Sequence, residues 1–567
     1  KRDGMRGRDE PMYGYFAGMG YNVVRVDMRG AGESDGCFYD EYLKQEQDDA
    51  IDAINWIAAQ PWCDGNVGMQ GKSWSGFNSL QVAARRPEPL KAIICIGFVD
   101  DRYTQDIHYK GGCLLNDNFW WGNIMLAYMC RAVDSEIKPD TWYEESIKRL
   151  EEMPLWPENW LKHQTRDDYW KHGSVSVNYD DIQVPVFALD GYADSYTNSV
   201  CTLMEGLSVP RKAIIGPWAH VFQHDGMPQP AMDYLGEATK WWDKWLKGID
   251  NDTLDCPQIT VWMEDSMKPE TVHPISDGRW VAVESWPSAD VNDKTLHMTY
   301  GHLQDEKNEK EEIVDLCTVQ NHGLFANEWM GAGVLGESPA DMRCDDGMAM
   351  TFDSDVIEED FEIFGYPTFT VEFTADKPNA FLYAELCDIH PDGAATRVSY
   401  GLMNLTHLDG HEKVTYLEPG KKYKATVTLD VCGHVFPKGH RVRLAVANSF
   451  WPMIWPSPEK VTLKLDLSTA EFTLPIFTGK DTEGPNMEAK CAPLTPMTVL
   501  KEGVVNRQIT YDLLTDSWTS ITDGVGGVFG EGIYRFDDIG TVVEHNLKRI
   551  LTVSNSDPSD ARYEIIQ

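Results

Sequence analysis

The chain contains no run close to the roughly 18 apolar residues that a membrane helix needs, so it is not expected to span a bilayer. It has no Cys-x-x-Cys pair and no Cys/His spacing of a zinc site. It also has no phosphate loop: Gly30-Ala31-Gly32-Glu33-Ser34 lacks both the Lys-Ser/Thr pair and a full Gly-x-Gly-x-x-Gly. Metal, nucleotide and flavin cofactors are therefore not expected. Positive charge is scarce, with 50 Lys+Arg against 90 Asp+Glu and a net charge of −40. Such a surface repels phosphate backbones, which excludes nucleic acid as a general partner. The 12 cysteines are scattered, and in a chain with a large core they read as buried free thiols in a reducing, cytoplasmic compartment. Repeats and low-complexity tracts are absent. What remains is an ordinary globular composition, 42% hydrophobic and 25% charged over 567 residues, long enough for two to four domains.

Strand and helix signals alternate over the first hundred residues. Lys1–Glu10 reads as a charged loop, 12–20 as a short helix ending at glycine, and Tyr21–Asp27 as a buried strand of valines. Helical spacing follows in Asp48–Gln60, then a strand over Asn66–Gln70, a small-residue helix to Arg86, and a strand over Leu90–Ile96. This rhythm predicts a mostly parallel sheet covered on both faces. It breaks over residues 103–181, rich in Trp, Tyr and charge, which read as a helical cap. It resumes with strands at Val184–Asp190 and Lys212–Gly216 and an amphipathic helix from Met232 to Lys247. Beyond a polar linker, Thr368–Thr374, Tyr423–Leu429 and Arg441–Val446 alternate apolar and polar residues, the mark of an all-β sandwich. The expected division is an α/β core over 1–102 and 182–250, the cap over 103–181, and a β domain over 256–567.

Gly71-Lys72-Ser73-Trp74-Ser75-Gly76 places a serine between a strand and a helix among small neighbours. A sharp turn of this kind lifts the hydroxyl above the sheet and aims the next backbone N–H at a developing oxyanion. A helix-capping serine would read the same way locally. A serine nucleophile needs a base and a group that orients it, in the chain order Ser, Asp/Glu, His. Asp194 follows the strand Val184–Asp190, and His220 follows Lys212–Gly216, with His224 close enough to compete. Taken singly, Asp194 reads equally as a solvated loop acid or a helix cap, and His220 as an ordinary loop histidine. Together they stand in the required order, each after an expected strand, with the cap between Ser73 and Asp194.

In combination, Ser73 in Gly-x-Ser-Trp-x-Gly, Asp194 in Gly-Tyr-x-Asp and His220 in Ile-Gly-Pro-Trp-x-His resemble the CocE/NonD hydrolases, the cocaine-esterase-like and X-prolyl dipeptidyl-peptidase-like serine hydrolases. Asp27–Gly36 is similar to the family's turn after an early strand, and Phe436-Pro-Lys-Gly-His-Arg-Val-Arg443 to a signature of its C-terminal β domain. The resemblance implies an α/β-hydrolase domain with a helical cap and a C-terminal jelly roll. It implies hydrolysis of small esters or short peptides through an acyl-serine, with Ser73 attacking, His220 taking its proton, Asp194 holding the imidazole, and the Trp74 N–H as one oxyanion donor. Trp74 stands where the family usually has Tyr. The family's second donor, a Tyr in a Pro-Tyr segment, would precede the stretch matching Lys1-Arg2-Asp3, so the chain reads as lacking that donor and the first strands of the sheet.

Other residues carry weaker expectations. Trp120, Trp121, Trp142, Trp156, Trp160 and Trp170 either line an acyl pocket or pack the cap. Asp117, Glu144 and Glu145 are candidates for binding a substrate ammonium. Asp388 and Asp392 read as cation ligands or as a plain β-turn. Arg25, Arg29 and Glu33 are expected to brace the turn near the active site. The alternatives to an acyl esterase are an X-prolyl dipeptidyl-peptidase or α-amino-acid ester hydrolase, an inactive fragment, or a non-catalytic carbohydrate-binding protein using Phe450, Trp451 and Trp455. Composition leaves the oligomeric state open.

Overall fold

In the central sheet, β1 (Val67–Lys72), β2 (Leu90–Ile96), β3 (Val186–Gly191), β4 (Arg211–Gly216) and β5 (Ile259–Glu264) lie side by side and parallel. β6 (Gly278–Val283) adds an antiparallel strand against β5. These observations come from a computed structural model describing residues 5–326, 328–524 and 532–566; Lys1–Gly4, at the head of the expected N-terminal loop, lie outside them. Strands β2 and β3 are apolar almost throughout and buried on both faces, as a parallel sheet between helical layers requires. One layer holds α1 (Arg6–Gly18) and the amphipathic helix Tyr234–Trp245, which packs Leu235, Ala238, Trp241 and Trp242 inward. The other includes α2 (Lys44–Ala58) and α3 (Trp74–Ala84). Helix α1 starts at Arg6, so Arg6–Glu10 of the expected N-terminal loop is helix.

Tyr21–Asp27 is not a strand. It has no regular structure and pairs with no strand among the described residues, and Val23, Val24 and Val26 are exposed by 39%, 43% and 58%. The valines state a preference that only a neighbouring strand about 4.8 Å away can realise. Among the described residues β1 pairs with β2 alone, and a cavity of about 1110 Å³ separates its outer edge from this segment.

The helical stretch between β2 and β3 includes α4 (Asp117–Met129), α5 (Trp142–Glu152) and α6 (Trp156–Trp160). Trp160 and Trp170 are fully buried, packed around His108. Beyond β6, antiparallel strands enclose a separate core. Thr368–Ala375 alternates strictly, with Phe369, Val371, Phe373 and Ala375 inward. Across that core lie β7 (Phe381–Ile389) and β9 (Arg441–Ala447), paired antiparallel. β8 (Cys432–Phe436) touches β5 at His434 and Glu264, which joins the two regions into one sheet. Thus β5 and β6, inside the span expected for the sandwich, extend the α/β sheet instead. Residues from 497 onward form two further small sheets; the larger includes β10 (Asn506–Asp512) and β11 (Lys548–Ser554). Among the described residues no helix is long and apolar enough to cross a membrane.

Candidate active site

Ser73 joins β1 to α3 with φ 61° and ψ −132°, a backbone conformation that costs a non-glycine residue energy and that functional turns retain. The neighbours make the turn feasible. A Cβ at position 71 would lie 2.1 Å from the Ser75 Cβ, so only glycine fits there. The Ser73 N–H donates to the carbonyls of Ile96 and Gly97, tying the turn to the end of β2. Trp74 is the first residue of α3, so its N–H has no acceptor within the helix and is free to meet an anion. The Trp74 indole donates to Glu46 at 2.5 Å and its ring meets Phe38 and Trp121, which lock the turn from below.

Asp194 and His220 follow β3 and β4, and both are almost completely buried. The His220 Nδ1–H donates to Asp194 Oδ2 at 2.7 Å. Gly97 makes room for the pair, since a Cβ there would stand 3.0 Å from both side chains. Burial draws the His220 pKa below its ordinary value although Asp194 opposes this; Lys72 and Arg8 reinforce the shift. Burial pushes the Asp194 carboxyl up, but His220 and Asp190 outweigh it and hold the group below the usual range. Asp190 is pushed well up, first by burial and then by Asp194, which favours its protonated form beside the Asp194 carboxylate. Ser73 and His220 both line the 1110 Å³ cavity, with Phe38, Trp120, Trp121 and Met330. His224 instead stacks on Tyr234 and lies outside that lining.

Several buttressing groups escape the sequence patterns. The Lys72 ammonium donates to the His220 carbonyl at 2.6 Å, and burial draws its pKa down to about 7. The His220 N–H donates to Gly331 O at 2.9 Å, and Ser195 Oγ donates to Trp329 O. This loop is anchored by Glu328, whose carboxylate accepts from Arg507 on β10 and from Arg549 on β11, the latter at 2.5 Å. Arg549 also lies over the Trp120 ring, 5.3 Å from its centroid, within the reach of about 6 Å for such a contact. An arginine in an alternating strand carries no sign of a partner 221 residues away.

The remaining expectations divide. Arg29 forks onto Asp49 and Arg25 pairs with Asp9, as braces of the adjacent turn. Glu145 is held by Lys138, and Asp117 faces Arg549. Phe450 and Trp451 are buried, with Phe450 stacked on Tyr383. Asp392 pairs with Lys268 in a turn, whereas Asp388 is fully buried.

Known proteins are similar to the chain along most of its length. The family model for X-Pro dipeptidyl-peptidase (S15 family) matches residues 1–222, and that for the X-Pro dipeptidyl-peptidase C-terminal non-catalytic domain matches 251–490. A cocaine esterase of a Rhodococcus species is 24% identical over 478 residues, covering 77% of this chain and 82% of that protein. A putative Xaa-Pro dipeptidyl-peptidase of Bacillus cereus is 24% identical over 491 residues, covering 82% and 76%. Among solved structures, an α-amino acid ester hydrolase superposes with a TM-score of 0.63 at 18% identity, covering 82% of this chain and 87% of that one. A CocE/NonD family hydrolase from Staphylococcus aureus gives 0.61 at 15% identity, covering 79% of each. The chain is thus an α/β hydrolase with a C-terminal non-catalytic domain, and it belongs to the S15 serine hydrolases, the family that unites X-Pro dipeptidyl-peptidases with cocaine-esterase-like CocE/NonD enzymes.

Proposed function

We propose that Ser73, His220 and Asp194 form the catalytic triad of an acyl esterase. The observation that carries this reading is the strained Ser73 turn opening onto the same cavity as a buried His220 bonded to Asp194. Ser73 Oγ attacks the acyl carbon while His220 takes its proton. Asp194 fixes the tautomer and stabilises the imidazolium. The Trp74 N–H faces the oxyanion, where one such donor is worth about 100- to 1000-fold in turnover. The imidazolium then returns the proton to the leaving alcohol, and water repeats the cycle on the acyl-serine. No cofactor enters these steps.

An ester of an apolar or aromatic acyl group suits the cavity better than a dipeptide amide. Phe38, Trp120, Trp121 and Met330 line it beside Ser73, while the candidate ammonium-binding carboxylates of the cap are occupied by Lys138 and Arg549 or lie outside the lining. A dipeptidyl-peptidase needs an unpaired carboxylate at the end of its acyl pocket. We assign the α/β core to 1–102 and 182–250 with β5 and β6 continuing its sheet, the cap to 103–181, and a jelly-roll form to the sandwich that follows.

Labelling with a fluorophosphonate, then peptide mass spectrometry, tests the triad. Label is expected on Ser73 and absent after His220→Ala; label on another serine overturns the assignment. Aryl esters should be turned over in preference to X-Pro amides, and the reverse preference would make the enzyme a peptidase.

A further inference from the structure

A second cluster of reactive side chains lies in the β region, outside the proposed triad. Asp388 is near the end of β7, His390 is just beyond it, and His440 immediately precedes β9. The two strands pair antiparallel with Asp388 opposite Val442 and Ile389 opposite Arg441. Side chains alternate along a strand, so this register puts Asp388, His390 and His440 on one face. Their nitrogen and oxygen donor atoms all lie within 4.8 Å of one another. Asp388 and His390 are buried, while His440 keeps 12% side-chain exposure and so leaves a path for entry.

We propose that Asp388, His390 and His440 hold a divalent transition-metal ion of the zinc class. Two imidazoles and one carboxylate are the donors zinc takes, with a fourth position left for water. Calcium and magnesium demand sets built from oxygen alone. His390 and Asp388 have the outer partners that metal-binding side chains need, and His440 lies against Asp388. His390 Nε2 faces Met267 O at 3.2 Å and Thr396 Oγ1 at 3.0 Å; a proton kept there leaves the lone pair on the other ring nitrogen. One Asp388 oxygen lies 2.7 Å from His440 Nδ1. The other accepts from Ser266 Oγ at 2.5 Å and faces His434 Nε2 at 3.3 Å.

A comparison within the chain shows why this cluster and not the other. Glu41, Asp106 and His108 also gather their donors within 4.8 Å. All are fully buried, however, and the Arg102 guanidinium already stands 3.4 Å from Glu41 as the local cation. Among the described residues the ion-pair partners of Asp388 are the imidazoles of His434 and His440, and the nearby Lys268 is engaged by Asp392. Ser266 and Met267 follow β5, so an ion here would pin the end of the central sheet to the sandwich.

Cobalt(II) titrated into the full chain tests the proposal after the exposed thiols Cys256, Cys317, Cys344 and Cys491 have been alkylated. One equivalent should bind with visible bands of nitrogen and oxygen coordination, and zinc should displace it. His390→Asn and His440→Asn should each weaken binding at least tenfold and remove the rise in melting temperature that zinc gives the parent protein. Absence of a stoichiometric spectrum, a thiolate charge-transfer band, or unchanged affinity in both variants overturns the site. X-ray absorption on the zinc-loaded parent protein needs no variant: two imidazoles and no sulfur are expected, and sulfur in the shell or a lone imidazole refutes it.

Discussion

Ser73 leaves the sheet from β1, whereas Asp194 and His220 leave from β3 and β4, well inside it. The outer side of β1 faces a cavity and a segment that pairs with no described strand. The strands β3 and β4 are flanked on both sides, and the His220 loop is held from beyond by Glu328, Arg507 and Arg549. The proposed nucleophile thus depends on one tight turn, while the proposed acid–base pair is supported by a network that reaches the far end of the chain. Preorganisation comes from backbone geometry in one half and from buried charge in the other, so the two halves should fail differently.

The largest effects test the chemistry itself. Ser73→Ala and His220→Ala should each remove roughly 10⁴-fold or more of kcat with the fold intact, and together cost hardly more than either alone. Asp194→Asn should approach the same loss, because an amide favours the wrong imidazole tautomer. Additive losses in the double variant would show that Ser73 and His220 do not act as a unit.

The next effect separates the two supports. Arg549→Met leaves Glu328 nearly buried beside one remaining arginine, and breaking such a pair costs about 3–5 kcal/mol. Chemical unfolding should show that loss, with kcat falling more than KM rises as the Gly331 contact to His220 loosens. On the β1 side, Arg29→Met breaks an ion pair with Asp49 that is 48% and 28% exposed, worth about 0–1 kcal/mol. Equal costs at the two positions would erase the contrast.

Acid should act on the same network. Burial pushes the Glu328 carboxyl up, but Arg549 and Arg507 overcome it and bring the pKa to about 2. A carboxylate depressed on folding stabilises the protein above its unfolded pKa of about 4.5 and loses that stability as pH falls toward 2. The contribution is about 3 kcal/mol. The stability gap between the parent protein and Glu328→Gln should therefore be widest at pH 7 and close only as pH falls to about 2; a constant gap would place the effect in packing.

Much of this was legible in the sequence because it is local. Leu90–Ile96 and Trp142–Glu152 are read to the residue, since apolar runs and helical periods lie within a few neighbours. The order Ser73, Asp194, His220 is legible because each follows a strand that announces itself. Tyr21–Asp27 misleads for the same reason: its valines are strand formers, but pairing is a property of the partner. Asp190 hides at the end of an apolar run. Glu328, Arg507 and Arg549 look like any surface charges until the fold brings them together. The cluster of Asp388, His390 and His440 arises from register between strands separated by more than fifty residues.

Lys72 spans the two halves, since it ends β1 and donates to the His220 carbonyl. Its effect is the smallest and the most specific. His220 must be neutral to take the Ser73 proton, so kcat/KM is lost as pH falls through its pKa, which burial sets below 6.5. Lys72, with its own pKa drawn down to about 7, carries charge over that limb and helps hold the His220 value down. Lys72→Gln keeps a donor for the carbonyl and removes the charge. The acid limb should then move up by about a few tenths of a pH unit, a few tenths of 1.4 kcal/mol, with activity near pH 8 little changed. An unmoved limb together with lower activity at every pH would make Lys72 a mechanical strut only, and the two halves of the site would then communicate through the backbone alone.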